Sequence, residues 1–229
     1  MLRRILAFFI LASIKTVGQL LFSFKVDHQG DKPKCWSGIR VVAWINHTSL
    51  FDVFLISVIP YVTLWRAAKD CITPIAEKTY ERPVVGFIFR NLTVSKSSVS
   101  QKRDATWSQF LDSITATTMV ALFPEGRMKR KSGMDKHGRP LTVRGGIADV
   151  LSRMDNGQML IKYSGGMHHI HAPGQRFPRL FQRIRVRLEV VEIPEYKRVL
   201  AQPDHEDFKS EVIRDLTRRR DRALLEMAL

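Results

Sequence analysis

A histidine and an aspartate five positions apart are the first residues of this chain that could carry out chemistry. They bound the run His47-Thr-Ser-Leu-Phe-Asp52, which follows a short apolar segment. A histidine can accept a proton near neutral pH, and a carboxylate can fix its tautomer and stabilise the imidazolium. Residues five apart on one helix diverge by ~140°, so they would not meet there. We therefore expect His47 in the turn after a strand, with Asp52 reaching back from the first turn of the next helix.

A second set of candidate residues lies some seventy positions further along, in Phe123-Pro-Glu-Gly-Arg127. This motif ends a run of β-forming residues, so it can place a carboxylate and an arginine, Glu125 and Arg127, at an edge of a sheet. A guanidinium fork suits a phosphate monoester. Arg144, which precedes Gly145-Gly146 at a predicted helix start, is a further candidate anion contact.

The two motifs, in this order and at this separation, resemble those of the glycerolipid acyltransferases, the 1-acylglycerol-3-phosphate acyltransferase family. The segments 86–90 and 144–148 are similar to two other glycine-containing blocks of that family. The resemblance covers about residues 40–165. It implies an α/β fold in which helices flank a mostly parallel central sheet, and the alternation of short predicted strands and helices agrees with that class.

The resemblance also implies an activity, the transfer of a fatty acyl group from a thioester to a lipid hydroxyl. His47 would deprotonate the acceptor hydroxyl, Asp52 would orient His47, and the alkoxide would attack the thioester carbonyl directly. Neither Cys35 nor Cys71 lies in a recognisable nucleophile motif, so no acyl-enzyme is needed. The resemblance implies no bound cofactor and no metal, because acyl-CoA or acyl carrier protein is a donor substrate.

The acceptor site implied by the resemblance consists of Glu125, Gly126, Arg127 and Arg144. The expected acceptor is 1-acylglycerol 3-phosphate, which would give phosphatidic acid. The chain departs from the family's usual Phe-Pro-Glu-Gly-Thr-Arg-Ser, because its arginine follows Gly126 directly. The segment Met159-Leu-Ile-Lys-Tyr163 also lacks the proline usual in the family's later apolar strand. These departures keep other acceptors open, namely a lyso-ornithine lipid, another lysophospholipid or a glycolipid.

The composition indicates one globular domain with an anionic partner. The chain has 229 residues, 45% of them hydrophobic, and a formal net charge of +15. Membrane lipid, nucleic acid, or an acidic carrier or substrate could supply the opposite charge. Nucleic acid is not expected, since there is no zinc-finger spacing, no aromatic block of the kind found in RNA-binding sheets and no obvious recognition helix. The two distant cysteines indicate a reducing compartment rather than a disulfide framework.

The first 25 residues are predicted to associate with a membrane, and residues 26–229 to form the acyltransferase domain. Between Arg4 and Lys25 the only charged residue is Lys15. The segment is long enough to span a bilayer, but Lys15 would then lie near its middle at a cost of ~2.5–3.5 kcal/mol. A polar stripe beside Lys15 favours a helix that lies in the interface or packs on the domain. We expect attachment to the cytoplasmic face, by a monotopic or a single spanning helix.

Hydrophobic periodicity predicts the remaining elements, with residues 26–38 as a linker and residues 127–143 as a basic loop. Residues 183–193 alternate well and are typical of a half-exposed strand near a sheet edge. The predicted strands are 39–45, 63–67, 92–95, 118–123, 159–163 and 183–193, and the predicted helices are 49–59, 104–115, 145–154 and 204–229.

Three further clusters have simple interpretations. His168, His169 and His171 lack a nearby cysteine or carboxylate pattern that would complete a zinc site, so a surface loop is favoured. Residues 218–220 are three consecutive arginines, most simply a solvated face of the last helix, with membrane phosphate contact as the alternative. The basic residues Lys129 to Lys131 are interpreted as a phosphate or carrier contact, with a solvated loop as the alternative.

Two hypotheses of other classes remain. A non-catalytic basic protein that binds membrane surfaces predicts that His47→Ala leaves all function intact. A nucleic-acid binder predicts salt-sensitive retention of DNA without affinity for lipid.

Overall fold

A six-stranded sheet runs through the described part of the chain, in the order β1-β8-β7-β2-β6-β3. The computed structural model describes residues 2–30, 36–76, 81, 98–100, 104–172, 175–200 and 207–228. The β7–β8 pair is antiparallel and the other neighbouring pairs are parallel. The strands are β1 Ser23–Gln29, β2 Ile39–Ile45, β3 Cys71–Ile72, β6 Met119–Leu122, β7 Gln158–Ser164 and β8 Arg183–Glu192, and β4 Ile75–Ala76 pairs with β5 Ser98–Val99 in a separate small sheet.

Helices cover both faces of the six-stranded sheet, which confirms the predicted mostly parallel α/β class. One face packs against the helices of the C-terminal half, and the other against α1, α2 and a 3₁₀ helix, so two apolar layers enclose the sheet. The helices are α1 Leu2–Leu21, the 3₁₀ turn Trp36–Gly38, the 3₁₀ helix Leu50–Val58, α2 Tyr61–Asp70, α3 Ala105–Asp112, α4 Gly146–Ser152, α5 Ile193–Leu200 and α6 Phe208–Ala228.

The carboxyl ends of β2, β6 and β7 meet at one edge of the sheet. These three strands are buried and run in the same direction, and β2 lies between the other two. Long apolar runs explain why they form the centre, since strands covered on both faces need no polar side. In open α/β sheets, loops that leave the carboxyl ends of neighbouring strands converge, so the segments after β2 and β6 are brought together.

The first helix packs against the protein through Lys15 and several apolar side chains. Lys15 is buried, and its ammonium donates to the Ser57 carbonyl of the 3₁₀ helix, while Thr16 and the Tyr61 hydroxyl share a hydrogen bond. Among the described residues, α1 is the one helix long and apolar enough to cross a membrane, by length and composition. Only 17% of its most apolar stretch is buried, because one set of its large side chains is exposed while another packs against the core. The exposed large hydrophobic residues of α1 are Leu2, Leu6, Phe9, Val17 and Leu20.

Several element predictions were wrong or incomplete. Residues 26–29 belong to β1 rather than a linker, because they pair with β8. Strand β1 crosses the boundary predicted at residue 25. The division into a membrane-associating segment, 1–25, and an acyltransferase domain, 26–229, stays a prediction. Residues 63–67 lie in α2, which starts directly after Pro60. The helix predicted at 49–59 is a 3₁₀ helix, Leu50–Val58. The predictions at 86–90, 92–95 and Cys35 lie outside the described residues.

Strand β8 lies next to the edge, as its alternation predicted, and α6 covers part of its polar face. Arg185 is exposed but donates to the Met227 carbonyl, and Arg187 pairs with Glu226. The edge position itself is taken by β1. Arg185 and Arg187 of β8 are therefore partners of the last helix.

Candidate active site

His47 and Asp52 form a hydrogen-bonded pair at the carboxyl edge of the sheet. The Nδ1 atom of His47 lies 2.6 Å from Oδ2 of Asp52. The His47 side chain is 19% exposed, whereas that of Asp52 is 2% exposed. Since Nδ1 faces the carboxylate, Nε2 is the ring nitrogen that remains to exchange a proton with a bound molecule. The geometry is the one expected from the spacing, with His47 in the turn and Asp52 in the first helical turn.

The start of the 3₁₀ helix fixes the Asp52 carboxylate. Oδ2 accepts hydrogen bonds from the backbone N–H groups of Thr48, at 2.8 Å, and Ser49, at 3.3 Å. Ser49 is the N-cap residue, and its hydroxyl accepts from the N–H of Phe51. A carboxylate at a helix N-terminus satisfies amides that have no partner within the helix. Asp52 therefore has one rotamer in which it both caps the helix and holds the imidazole.

Glu125 fixes the other side of the His47 turn. Its Oε2 atom accepts hydrogen bonds from the backbone N–H groups of Asn46 and His47, each at 3.1 Å. Asn46 has a positive φ of 65°, a conformation that asparagine tolerates better than most residues, and its Nδ2 donates to the Ser164 carbonyl. The carboxylate that follows β6 thus aligns the turn that follows β2. The predicted contact of Glu125 with an acceptor stays a prediction.

Arg220 of α6 contacts the carboxylate of Glu125. The interpretation of residues 218–220 as a solvated face was therefore wrong for Arg219 and Arg220, which both have carboxylate partners. The Arg220 Nη1 atom lies 3.4 Å from Oε1 of Glu125 and donates to the Leu141 carbonyl at 3.0 Å. Arg219 pairs with Asp215 and Glu189. A buried carboxylate needs such a partner, because burying an unpaired charge is costly.

The walls around His47 are aromatic and basic. The Phe123 ring centroid lies 4.4 Å from that of His47, and Trp44 packs against Phe123 at 5.5 Å. The loop after the Glu-Gly turn touches His47 directly, because the Lys129 N–H donates to the His47 carbonyl at 2.7 Å. The first residues of the predicted basic loop are therefore hydrogen-bonded to the backbone of the candidate base, His47.

Three arginines cluster beside the Glu125 turn around one carboxylate. Arg127 pairs with the buried Asp135, and Arg139 Nε lies 3.5 Å from the same carboxylate. Hydrogen bonds from the Arg139 and His137 amides, together with Arg127, hold the pKa of Asp135 well below its ordinary value. Burial lowers the pKa of Arg144, and the charges of Arg127 and Arg139 lower it further. Three cations around one carboxylate leave a net positive site.

Gly126 allows Arg144 to lie against the turn. Its φ is +63°, and a Cβ atom at this position would come within 3.3 Å of the Arg144 Cδ atom. The Arg144 N–H also donates to the Pro124 carbonyl at 2.9 Å. Within the described residues no carboxylate pairs with Arg144, whereas Arg127 is already held by Asp135. Of the two predicted anion contacts, Arg144 is therefore the more available.

Cys71 and the three neighbouring histidines after β7 lie in unreactive settings. Burial raises the pKa of the Cys71 thiol to about 11, so this thiol is a poor nucleophile. His168, His169 and His171 do not converge, since their Nε2 atoms face the carbonyls of three different residues. Among the described residues no group of three or more histidine, cysteine or carboxylate side chains could hold a metal ion.

Comparison with known proteins identifies a family and similar solved structures. The family model described as Acyltransferase matches residues 24–162, which include His47, Asp52 and the Glu125 turn. The crystal structure of the 1-acyl-sn-glycerophosphate (LPA) acyltransferase PlsC from Thermotoga maritima is similar, with a TM-score of 0.59 at 17% sequence identity. The match covers 96% of this chain and 80% of that one. Among curated protein sequences no significant match is found.

Replacing Glu125 by glutamine should loosen the His47 turn. The substitution removes the charge that Arg220 faces and puts an amide NH₂ group against either the arginine or the two backbone amides. Hydrogen bonds to charged groups are worth ~1.5–3 kcal/mol, so the melting temperature should fall by roughly 4–10 °C. Amide exchange at residues 46 and 47 should accelerate. The control is Glu195→Gln, which breaks an exposed pair with Arg198 and should change the melting temperature by only about 1–2 °C. Equal effects of the two variants would contradict this assignment.

Proposed function

The chain belongs to the acyltransferase family, and we propose that it transfers a fatty acyl group from a thioester to the hydroxyl of 1-acylglycerol 3-phosphate, giving phosphatidic acid. The observation that carries the proposal is the His47–Asp52 pair at the carboxyl edge of the sheet. The likeness to the Thermotoga maritima enzyme supports the fold, and the acceptor named for that enzyme, LPA, suggests the acceptor here.

In this proposal His47 is the general base. Asp52 holds the Nδ1–H tautomer, so the lone pair of Nε2 accepts the proton of the acceptor hydroxyl as that oxygen attacks the thioester carbonyl. The carbon–sulfur bond then breaks, and the imidazolium returns its proton to the departing thiolate. Base and nucleophile need only be brought together, because a thioester is already a reactive acyl donor. No cysteine is required, which agrees with the unreactive setting of Cys71.

The arginine cluster would bind the phosphate of the acceptor. Arg144 lies against the Glu125 turn, and that turn is hydrogen-bonded to the turn of His47. A phosphate held there would supply the negative charge that the cluster lacks. The pairing of Arg127 with Asp135 suggests that Arg127 shapes the site, while Arg144 makes the direct contact.

The basic loop after Arg127 would receive the donor. Arg130, Lys131 and Lys136 are exposed, and the loop starts with the hydrogen bond from Lys129 to His47. Coenzyme A carries phosphates and acyl carrier proteins are acidic, so either donor would meet complementary charge beside the base. The outward apolar face of α1 would hold the protein at the membrane that contains the acceptor.

Substitution of the base tests the mechanism. His47→Ala should lower turnover with acyl-CoA and lysophosphatidate by ~10²–10⁴-fold while leaving the melting temperature nearly unchanged. Asp52→Asn should also be damaging, because the carboxylate no longer holds the imidazole tautomer. His169→Ala removes an exposed histidine that contacts the Arg183 carbonyl, and it should retain wild-type turnover. If His47→Ala keeps more than about a tenth of wild-type turnover, the proposed mechanism is wrong, and unaltered function would favour a non-catalytic role.

Steady-state kinetics of two arginine variants test the acceptor site. Arg144→Ala should raise the KM for lysophosphatidate by roughly ten- to a hundred-fold, because a hydrogen bond to a charged group is worth ~1.5–3 kcal/mol. Arg127→Ala should have a smaller effect on this KM and should lower stability, since it leaves Asp135 without its closest partner. The KM of the thioester donor should change little in both variants. Arg153→Ala, on the exposed surface, is the control. An increase confined to the donor KM would reassign the cluster to the donor.

The outward face of α1 can be tested with vesicles. Phe9→Asp and Leu20→Asp place a charge on the exposed apolar face, so both should reduce co-flotation with phosphatidylcholine–phosphatidylglycerol vesicles. The control is Leu225→Asp, which changes an exposed leucine on α6 and should float like the wild type. Unchanged flotation of both α1 variants would move the membrane contact to another surface.

A further inference from the structure

Residues 175–182, which connect β7 to β8, expose three large apolar side chains. Phe177 is 72% exposed, Leu180 40% and Phe181 75%. Single exposed apolar residues are ordinary on a protein surface, but several grouped within a few positions mark a surface that contacts another body. The proposed chemistry uses none of these side chains.

Arginines are interleaved with the apolar residues of the 175–182 segment. Arg176 and Arg179 are exposed, and the guanidinium of Arg176 lies 5.5 Å from the centroid of the Phe177 ring. The sequence has no acidic residue between Asp155 and Glu189, so the segment carries positive charge without any negative charge of its own. An arginine can lay its stem along an apolar surface while its charged end reaches phosphates. This mixture of side chains suits anionic headgroups above acyl chains.

Backbone hydrogen bonds hold the 175–182 segment against the C-terminal end of α1. The Phe181 N–H donates to the Leu21 carbonyl at 2.7 Å, and the Ser23 N–H donates to the Gln182 carbonyl at 3.2 Å. Leu20, which is 71% exposed, directly precedes this junction. The exposed apolar side chains of α1 and those of the segment therefore adjoin.

Phe181 has a backbone conformation that bulky residues rarely adopt. Its φ is 57°, in the left-handed region. The contact with Leu21 holds this residue, and two positions earlier the Arg179 N–H donates to the Ile170 carbonyl at 2.8 Å. The protein thus presents an exposed ring on a backbone that is hydrogen-bonded on both sides of it. Such a ring loses little conformational freedom when it is bound.

The chain after β7 also lies against the turn of the candidate base. The Met167 N–H donates to the Thr48 hydroxyl at 2.8 Å, and the ring centroids of His171 and Phe51 are 4.8 Å apart. Thr48 and Phe51 belong to the motif that begins with His47. The described residues after β7 therefore reach from the candidate site to the end of α1.

A lipid surface fits these features better than a protein partner does. The exposed apolar residues run along α1, whose 20 residues extend for ~30 Å, and then continue into the 175–182 segment. Within the segment they are flanked by cations alone. Large apolar side chains beside basic ones are the arrangement by which amphipathic elements lie in a membrane interface.

We propose that residues 175–182 form a second membrane-binding element, which inserts Phe177 and Phe181 into the interface of an anionic bilayer while Arg176 and Arg179 contact lipid phosphates. This contact extends the one proposed for α1 and goes beyond the proposed function. Its consequence rests on that function, because the edge of the sheet that carries His47 would then face the bilayer. A lysolipid acceptor would reach the base from the membrane without crossing water.

Binding of the full chain to vesicles tests the membrane contact. Phe177→Ala/Phe181→Ala removes both rings, so its partition coefficient onto phosphatidylcholine–phosphatidylglycerol vesicles should fall at least about tenfold. The matched control is Val199→Ala/Leu225→Ala, which removes exposed apolar side chains of α5 and α6 and should bind like the wild type. Both double variants should keep the wild-type melting temperature, since the side chains are exposed. Equal binding by the two double variants would overturn the proposal.

A second pair of variants tests the arginines. Arg176→Gln/Arg179→Gln should weaken binding to the anionic vesicles by roughly ten- to thirtyfold, because each basic residue at such a surface contributes a factor of about five. Binding to phosphatidylcholine alone should change little. Arg153→Gln/Arg198→Gln lowers the net charge equally on helices that cover the other face of the sheet, and it is the control. An equal loss in this control would show that net charge alone acts, and it would overturn the role of the segment.

Turnover separates this inference from the function on which its consequence rests. The ratio of turnover on lysophosphatidate in vesicles to turnover on a dissolved short-chain lysophosphatidate should fall about tenfold in Phe177→Ala/Phe181→Ala, and it should not change in the alanine control. An unchanged ratio would overturn delivery of the acceptor from the bilayer. A wild type without turnover would contradict the proposed function alone, because vesicle binding still decides the membrane contact. Unchanged vesicle binding together with lost self-association would assign the surface to a second copy of the chain and overturn the proposal.

Discussion

The buried carboxylate of Glu125 is the constraint on which the rest of the site depends. It joins the end of β6 to the turn after β2 through two backbone amides, and it joins both to α6 through Arg220. A carboxylate in this position has to be neutralised and hydrogen-bonded, so the turn, the strand end and the last helix can take only one relative placement. Asn46 is held in its left-handed conformation by the same contacts. The direction of the His47 ring follows from that placement.

The carboxylate of Asp52 holds the side chain of His47, whereas that of Glu125 holds its backbone. Asp52 caps the 3₁₀ helix and binds the imidazole, while Glu125 binds the backbone that carries the imidazole. Both lie at the carboxyl edge of a parallel sheet, where loops from different strands meet. The cations around them have separate partners, with Arg220 on Glu125 and Arg127 on Asp135. Arg144 is left available for an anion.

The sequence was informative where a pattern is local. The central strands have continuous apolar runs, and the five-residue spacing of His47 and Asp52 allows few geometries, so these features could be predicted. Strand β1 could not, because its residues become a strand only by pairing with β8, more than 150 positions away. Residues 63–67 contain β-forming side chains, but Pro60 starts a helix through them.

The supporting residues of the site were missed for the same reason. Arg220 lies 95 positions from Glu125, and three consecutive arginines in a helix have the pattern of a solvated face. The burial of Lys162 could not be predicted either, since it is set by neighbours from other strands. The sequence could not show that Lys15 of α1 donates to the 3₁₀ helix, or which apolar residues of α1 stay exposed.

The most direct test of the account is a rapid-quench experiment with the purified protein and radiolabelled acyl-CoA, in the presence and absence of 1-acylglycerol 3-phosphate. If His47 assists direct attack by the acceptor, the amount of labelled phosphatidic acid should equal the amount of free thiol released. Without acceptor the thioester should stay intact, and the protein should carry no label. Label bound to the protein, or release of the thiol at the same rate without acceptor, would contradict the account.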